Sequence, residues 1–324
     1  MPLWRAALDI LEKADTWLVL VHEKPDGDTV GCAFALAERC RKLGKRPIVA
    51  GPDPVPASLS FLQGDSQYYV GPVLPPAVVS MPNKAFVVVD TSNPERTCRL
   101  PDDLQDRSPM LVVDHHGDNT FSGDCVIVDS EKTSTAEVIW ELYRFAGWEP
   151  SRHEAEALYS AIITDTGNFR FQGVSPRTHI IASELIASGA DPSRIYARIY
   201  ENREATGLRL WGKALAGISL CGNDKVCLAG ITRGDFRISG APGEETENLV
   251  NLLLTVRGVK VGVLMVEEES CVRVSIRTRD EFNARAIAQR WGGGGHPRAA
   301  GCRIPGGLNE ARMLITESFG DGNV

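Results

Sequence analysis

Residues 18–28 read Leu-Val-Leu-Val-His-Glu-Lys-Pro-Asp-Gly-Asp, and the stretch Val30–Leu43 then repeats apolar residues at helical spacing up to Gly44. A short β-branched run without polar alternation is the signature of a strand buried on both faces, and a strand feeding a helix is half of a βαβ unit. The polar residues sit at the joint: His22, Asp26 and Asp28 come directly after the run. The pattern recurs. Phe86–Val89 leads into Asp90, Leu111–Val113 into Asp114-His115-His116, and Ala161–Thr164 into Asp165-Thr166-Gly167. Val126–Val128 adds a further strand, and Ser134–Ala146 and Glu154–Ile163 add helices. Such alternation predicts an α/β fold, a parallel sheet with helices on both faces. The carboxyl ends of its strands line one crevice, where ligands bind. All four acidic clusters are expected at strand ends there.

The second half has a different rhythm. Residues 191–213 are helical and charged, as a linker would be. Gly217–Leu220 and Val226–Ile231 flank Gly222-Asn223-Asp224 and predict a hairpin. A helix at 245–256, strands at 259–266 and 272–276, and a helix at 283–291 complete a smaller α+β domain. The expected boundaries are therefore 1–190, 191–213 for the helical linker, and 214–324.

A chain of 324 residues with 43% hydrophobic and 24% charged residues is an ordinary globular chain of about two domains. The net charge of −7 argues against coating long duplex nucleic acid, which needs a broad basic field, but not against a small anion in a locally basic pocket. Asp9, Glu12 and Asp15 interrupt the place where a secretory signal would have its apolar core, and no apolar run is long enough for a membrane span. The eight cysteines are scattered without a C-x-x-C pair, so reduced thiols and a cytoplasmic location are expected.

Three histidines and at least four aspartates meeting in one crevice would repel one another unless a cation neutralised them. Carboxylates mixed with imidazole suit a first-row divalent ion such as Mn²⁺. The donors are too many for one ion and enough for two that share a carboxylate, an arrangement that activates water and clamps phosphoryl oxygens at a metal spacing of roughly 3.5–4 Å. Each piece has a plainer reading: Pro25-Asp26-Gly27-Asp28 alone is a turn signal, and Asp28 could cap the following helix. His153 and His179 lie outside the set.

Together H-E-K-P-D-G-D, V-V-V-D, V-D-H-H and T-D-T-G-N-F resemble, in order and spacing, the four motifs of the DHH phosphoesterases. R-W-G-G-G-G-H-P-R-A-A-G is similar to the glycine-rich motif of their DHHA1 domain, with one extra glycine before His296. The resemblance implies that His22, Asp26 and Asp90 hold one Mn²⁺, and that Asp28, Asp90, His115 and Asp165 hold the other, with Asp90 bridging. Mg²⁺ or Co²⁺ would be substitutes. It further implies that His116 contacts substrate phosphate and that Asp114 orients the pair, so that His116, Asp114 and Asp90 form the catalytic group. Arg96 is expected among the substrate-binding residues.

Residues 273–303 hold seven arginines, no lysine and two acids, a local charge of +5. Arginine without lysine suits bidentate phosphate recognition. Gly293, Gly294 and Gly295, with His296, could let backbone N–H groups approach an anion, although one glycine would suffice for a helix cap. Arg277 is the expected clamp, and Asn283 falls at a matching position of the family. No Walker motif or dinucleotide fingerprint is present. The expected activity is Mn²⁺-dependent hydrolysis, by two-metal hydroxide attack, of oligoribonucleotides of two to a few nucleotides, and of adenosine 3′,5′-bisphosphate (pAp) to AMP. The alternative is a cyclic- or linear-dinucleotide phosphodiesterase. Expected partners are these short substrates, without membrane or long nucleic acid, and a homodimer is compatible with the sequence.

Overall fold

The computed structural model describes residues 2–100, 108–246, 248–279, 281–295 and 297–319. The chain divides into two compact units, Met1–Asn202 and Arg203–Val324.

In the first unit the sheet strands are β1 (Thr16–Leu20), β2 (Arg46–Gly51), β3 (Tyr68–Val70), β4 (Lys84–Val89), β5 (Met110–Asp114) and β6 (Cys125–Val128). They run in the order β3-β2-β1-β4-β5-β6, and every pair is parallel. Chain order reverses between β1 and β4, which makes the crevice above these two neighbours the topological switch point. The helices are α1 (Pro2–Lys13), α2 (Gly27–Lys42), α3 (Pro76–Val79), α4 (Thr135–Ala146), α5 (Arg152–Asp165), α6 (Pro176–Ala187) and α7 (Pro192–Tyr200). They divide unevenly between the faces. Val19, Val49, Val87 and Val113 point into a large core with α1, α2, α4 and α5. Their neighbours Leu18, Ile48, Val88 and Val112 face a thinner layer that includes the single-turn α3. Period-2 side-chain alternation sends successive residues of one strand to opposite cores.

Packing of α2 on α5 brings the start of one to the end of the other. Gly27 lies against Thr164 and Gly31 against the Ala157 carbonyl so closely that a Cβ at either place would collide. Gly27 therefore serves helix packing rather than a turn: Asp26 is the N-cap of α2, accepting from the Asp28 and Thr29 amides, and Asp28 sits in the first turn.

The second unit has α8 (Ala205–Ala216), β7 (Ser219–Cys221), β8 (Val226–Ile231), α9 (Arg233–Ser239), α10 (Leu249–Leu253), β9 (Val261–Glu267), β10 (Cys271–Thr278), α11 (Ala284–Gln289), β11 (Gly294–Gly295), β12 (Ala299–Pro305) and α12 (Leu308–Ser318). The mixed sheet runs β11-β12-β10-β9-β8-β7, with β8–β9 as its parallel pair. The β7–β8 hairpin turns through left-handed Gly222, Asn223 and Asp224, as the sequence predicts. The helix expected over 245–256 shrinks to the five residues of α10. The expected linker covers α7 and the first part of α8, which runs on to Ala216; the two helices fall on either side of the boundary between the units.

Candidate metal and phosphate site

His22 follows β1 and Asp90 follows β4, at the switch point. Both are buried, at 4% and 3% exposure. Asp90 adopts a left-handed φ of 57°, unusual outside glycine, while its amide stays tied to the Val113 carbonyl at 3.0 Å. Its Oδ2 is 3.7 Å from His22 Nε2, and its Oδ1 is 3.7 Å from His115 Nε2 and 3.8 Å from His116 Nδ1. Asp90 thus has imidazoles on both sides. His22 Nε2 is also 3.8 Å from Asp26 Oδ1. Its Nδ1 lies 2.7 Å from the Glu23 carbonyl, which places the ring proton there and leaves Nε2 as a lone-pair donor. Arg96 flanks the same ring, with Nη2 at 3.3 Å from Nδ1, and pairs with Glu23 at 3.8 Å.

Asp28 does not cap its own helix. Its two oxygens accept from the Thr135 and Ala136 amides at 2.6 and 3.1 Å, so it caps α4, whose own N-cap Ser134 makes no side-chain bond. A carboxylate at a helix N-terminus is favoured by the orphan N–H groups and by the dipole.

Asp165 corrects the sequence reading. It is the last residue of α5, not the end of a strand. The apolar run before it cannot be told from a strand by periodicity alone; the structure continues the helix that begins at Arg152 through it. Asp165 reaches the crevice because α5 packs on α2, and its Oδ2 is 3.4 Å from His115 Nε2. The His115 Nδ1 faces the Lys132 carbonyl at 3.3 Å, which again frees Nε2 for the crevice.

His116 shares Asp90 with His115 but has a closer partner of its own. Its Nδ1 bonds Asp114 Oδ1 at 2.7 Å, and Asp114, at 0% exposure, also accepts from Asn119 Nδ2 at 2.6 Å and from the His115 amide at 2.8 Å. Burial alone would raise Asp114 and lower His116. The bond between them, their mutual charge attraction, the Asn119 bond to Asp114 and the charge of Asp28 near His116 together outweigh it, holding the Asp114 carboxyl below and the His116 imidazole above their ordinary values.

Among the described residues, three groups each bring their donor atoms within 4.8 Å of one another: His22, Asp26 and Asp90; Asp28, His115 and Asp165; and Asp90, His115 and His116. Burial, together with the charges of Asp28, Asp26 and Asp165, pushes the Asp90 carboxyl well above the usual range, and burial with Asp28 and Asp26 does the same to Asp165. Burial raises Asp28 as well. Carboxylates set this close are held apart from water and against one another, the condition that divalent cations relieve. The mixed imidazole and carboxylate donors fit first-row ions.

The sequence-predicted residues of the second unit occupy separate elements. Arg277 lies near the end of β10, half-buried, with Nη1 donating to the Ile276 carbonyl at 3.0 Å; burial lowers its guanidinium from the ordinary arginine value. Asn283 is the N-cap of α11, accepting from the Ala286 amide at 3.1 Å. Gly293 and Gly295 press against the backbone of β12 where any Cβ would collide, whereas nothing approaches the Cβ position of Gly294. Close pairing with β12 therefore accounts for two of these glycines. His296 lies outside the described residues.

Thr135 and Asn119 were not singled out in the sequence. Thr135 Oγ1 donates to Asp90 Oδ1 at 3.0 Å. Thr135 stood in the predicted helix start and Asn119 five residues after Asp114, but neither spacing reveals a partner.

A parallel sheet whose switch point gathers carboxylates and imidazoles, with a histidine held beside them, is suited to divalent cations and to phosphoester hydrolysis. The chain belongs to the DHH family: residues 16–162 match the DHH family N-terminal domain and residues 224–320 the DHHA1 domain. It is 31% identical over 302 residues to the bifunctional oligoribonuclease and PAP phosphatase NrnA of Thermus thermophilus, covering 93% of this chain and 88% of that one. The protein of the same name from Bacillus subtilis is 30% identical over 300 residues, covering 90% of each. A solved structure, an exopolyphosphatase-related protein from Bacteroides fragilis, shares the fold with a TM-score of 0.91 at 22% identity, over 98% of this chain and 95% of that one. Among the described residues no helix is long and apolar enough to cross a membrane.

Proposed function

We propose that the protein hydrolyses oligoribonucleotides of two to a few nucleotides to mononucleotides, and pAp to AMP, with two Mn²⁺ per chain. The observation that carries this reading is the chain of overlapping donor groups, in which Asp90 joins His22 and Asp26 to His115 and His116, and His115 joins Asp28 and Asp165, with His116 also bonded to Asp114. The activity for which the two relatives are named supports the substrate class. His22, Asp26 and Asp90 would hold one ion, and Asp28, Asp90, His115 and Asp165 the other. Ions held there supply a water of lowered pKa and charge stabilisation for phosphoryl oxygens.

The chain's own residues do the rest. The Glu23 and Lys132 carbonyls fix the tautomers of His22 and His115 so that their free nitrogens meet the carboxylates. Thr135 and the α4 amides keep Asp90 and Asp28 from rotating. His116, whose protonated form the bond to Asp114 favours, would donate to the scissile phosphate and stabilise charge that grows during hydrolysis. Arg96 supplies a second cation next to His22. In the second unit Arg277, Asn283, the segment Gly293–Gly295 and His296 would bind phosphate or ribose.

Steady-state hydrolysis of diadenylate, pAp and cyclic di-AMP with Mn²⁺ tests the reading. Turnover of the first two above the third is expected, and Asp90→Ala should abolish it by removing a ligand common to both ions. Preference for cyclic di-AMP would assign a cyclic-dinucleotide phosphodiesterase instead, and retained activity in folded Asp90→Ala would refute the paired-metal site.

A further inference from the structure

The loop after Asp165 has a geometry that the proposed reaction does not require. Gly167, Asn168 and Phe169 stand in succession at φ values of 55°, 60° and 63°, a left-handed run that is unfavourable for a bulky side chain. It is firmly held. The Asn168 amide donates to the Ile163 carbonyl at 2.6 Å and the Phe169 amide to Thr166 Oγ1 at 3.0 Å. The Phe169 ring stacks on His179 at 4.9 Å with Tyr159 at its edge, so this aromatic is the anchor.

The run folds the chain back on the metal-ligating end of α5. The amides of Arg170 and Phe171 both donate to the Thr166 carbonyl, at 3.1 and 3.0 Å, one residue from Asp165. The Phe171 ring packs over Gly167 so tightly that no side chain would fit there. Even so, 49% of Phe171 is exposed, and the Arg170 guanidinium lies 5.4 Å from its ring centroid. One aromatic of the loop is used for packing, and the other is presented to solvent with a cation beside it.

We propose that Phe171, flanked by Arg170, is the stacking platform for the nucleobase of the nucleotide whose phosphate is held around Asp90 and Asp165. The proposal rests on the nucleotide-substrate reading above. An exposed aromatic ring with an adjacent guanidinium recognises a base by its π-face and by cation–π attraction, and does so whatever the base. The strained backbone folds Phe171 back so that its amide reaches the Thr166 carbonyl, next to Asp165, while every intervening amide is closed. The ligand class is thus a ribonucleotide of any base, and an abasic sugar phosphate is discriminated against.

Calorimetric binding of AMP and of ribose 5-phosphate to the Mn²⁺-loaded protein tests this without turnover. The wild type should bind AMP about 10-fold tighter than ribose 5-phosphate, Phe171→Trp should keep that ratio, and Phe171→Ala and Phe171→Leu should bring it near one. Equal Mn²⁺ content in all four proteins shows that Asp165 is undisturbed. A wild type without the preference, or an alanine variant that keeps it, overturns the platform. Diadenylate hydrolysis by the wild type separates the two claims: a preference lost in Phe171→Ala without any hydrolysis retains the platform and refutes the oligoribonuclease, whereas hydrolysis with an unchanged ratio does the reverse.

Discussion

Thr135 donates its hydroxyl to Asp90 Oδ1 at 3.0 Å while its own amide donates to Asp28 Oδ2 at 2.6 Å. One residue at the start of α4 thereby orients a carboxylate from each proposed metal position. Helix α4 comes between β6 and α5 in the chain, and neither carboxylate is within 40 residues of Thr135.

Thr135→Val removes the hydroxyl and keeps shape, amide and helix. Mn²⁺ affinity should fall roughly 10- to 100-fold, as for other supports of metal ligands, with activity recovering at high Mn²⁺. Metal titration of hydrolysis checks this; an unchanged titration midpoint would mean that the hydroxyl does not orient Asp90.

His115 and His116 are adjacent but face different partners, with Nε2 of the first on Asp165 and Nδ1 of the second on Asp114. His115→Ala should therefore lose metal. His116→Ala should retain it and lose about 10²- to 10³-fold in kcat, the usual effect of deleting one donor to a developing oxyanion. Elemental analysis beside kinetics decides the matter, and equal metal loss in both variants would contradict the split.

Arg277→Ala removes a proposed phosphate clamp, a charge-assisted bond worth roughly 1.5–3 kcal/mol. The expected effect is a loss of about 10- to 100-fold in kcat/KM for diadenylate, chiefly through KM. Bis-p-nitrophenyl phosphate, which has no second phosphate, should be hydrolysed nearly as before. An equal loss on both substrates would place Arg277 in folding or in the chemistry.

Asp235 accepts from the Thr232 amide at 2.9 Å and hydroxyl at 2.7 Å in the capping box of α9, and these bonds lower its pKa from the ordinary value. A carboxylate lowered by folding stabilises the protein above its unfolded pKa of about 3.9, and that contribution is lost as pH falls through the folded value. Asp235→Asn should lower stability at pH 7 by no more than about 1 kcal/mol. Urea midpoints should converge with wild type as the pH is taken from 6 towards 3.

Much of the fold was legible because burial dictates composition. Strands β1, β4 and β5 are closed in on both faces, so their sequences are continuous apolar runs, and the polar residues at their ends stand out. Edge strand β3 and the single-turn α3 escaped, being short and only partly buried, and the inner strand β2 escaped because it opens on exposed Arg46 and half-buried Pro47 rather than on an apolar run. Asp165 was expected in the crevice, where the structure puts it beside His115, but was placed on the wrong kind of element, since a four-residue apolar stretch reads alike in a buried helix and a buried strand.

The amino-acid sequence by itself determined the α/β rhythm, the acidic and imidazole clusters, and the residues that meet at the switch point, because residue type and local spacing carry those properties. Which group supports which was decided only by the tertiary structure. That Asp28 caps α4 rather than α2, that Thr135 holds Asp90, and that Gly293 and Gly295 make room for β12 all depend on contacts between segments far apart in the chain. A hydrogen-bond donor is chosen by distance and direction in space, and neither is written in the spacing along a sequence.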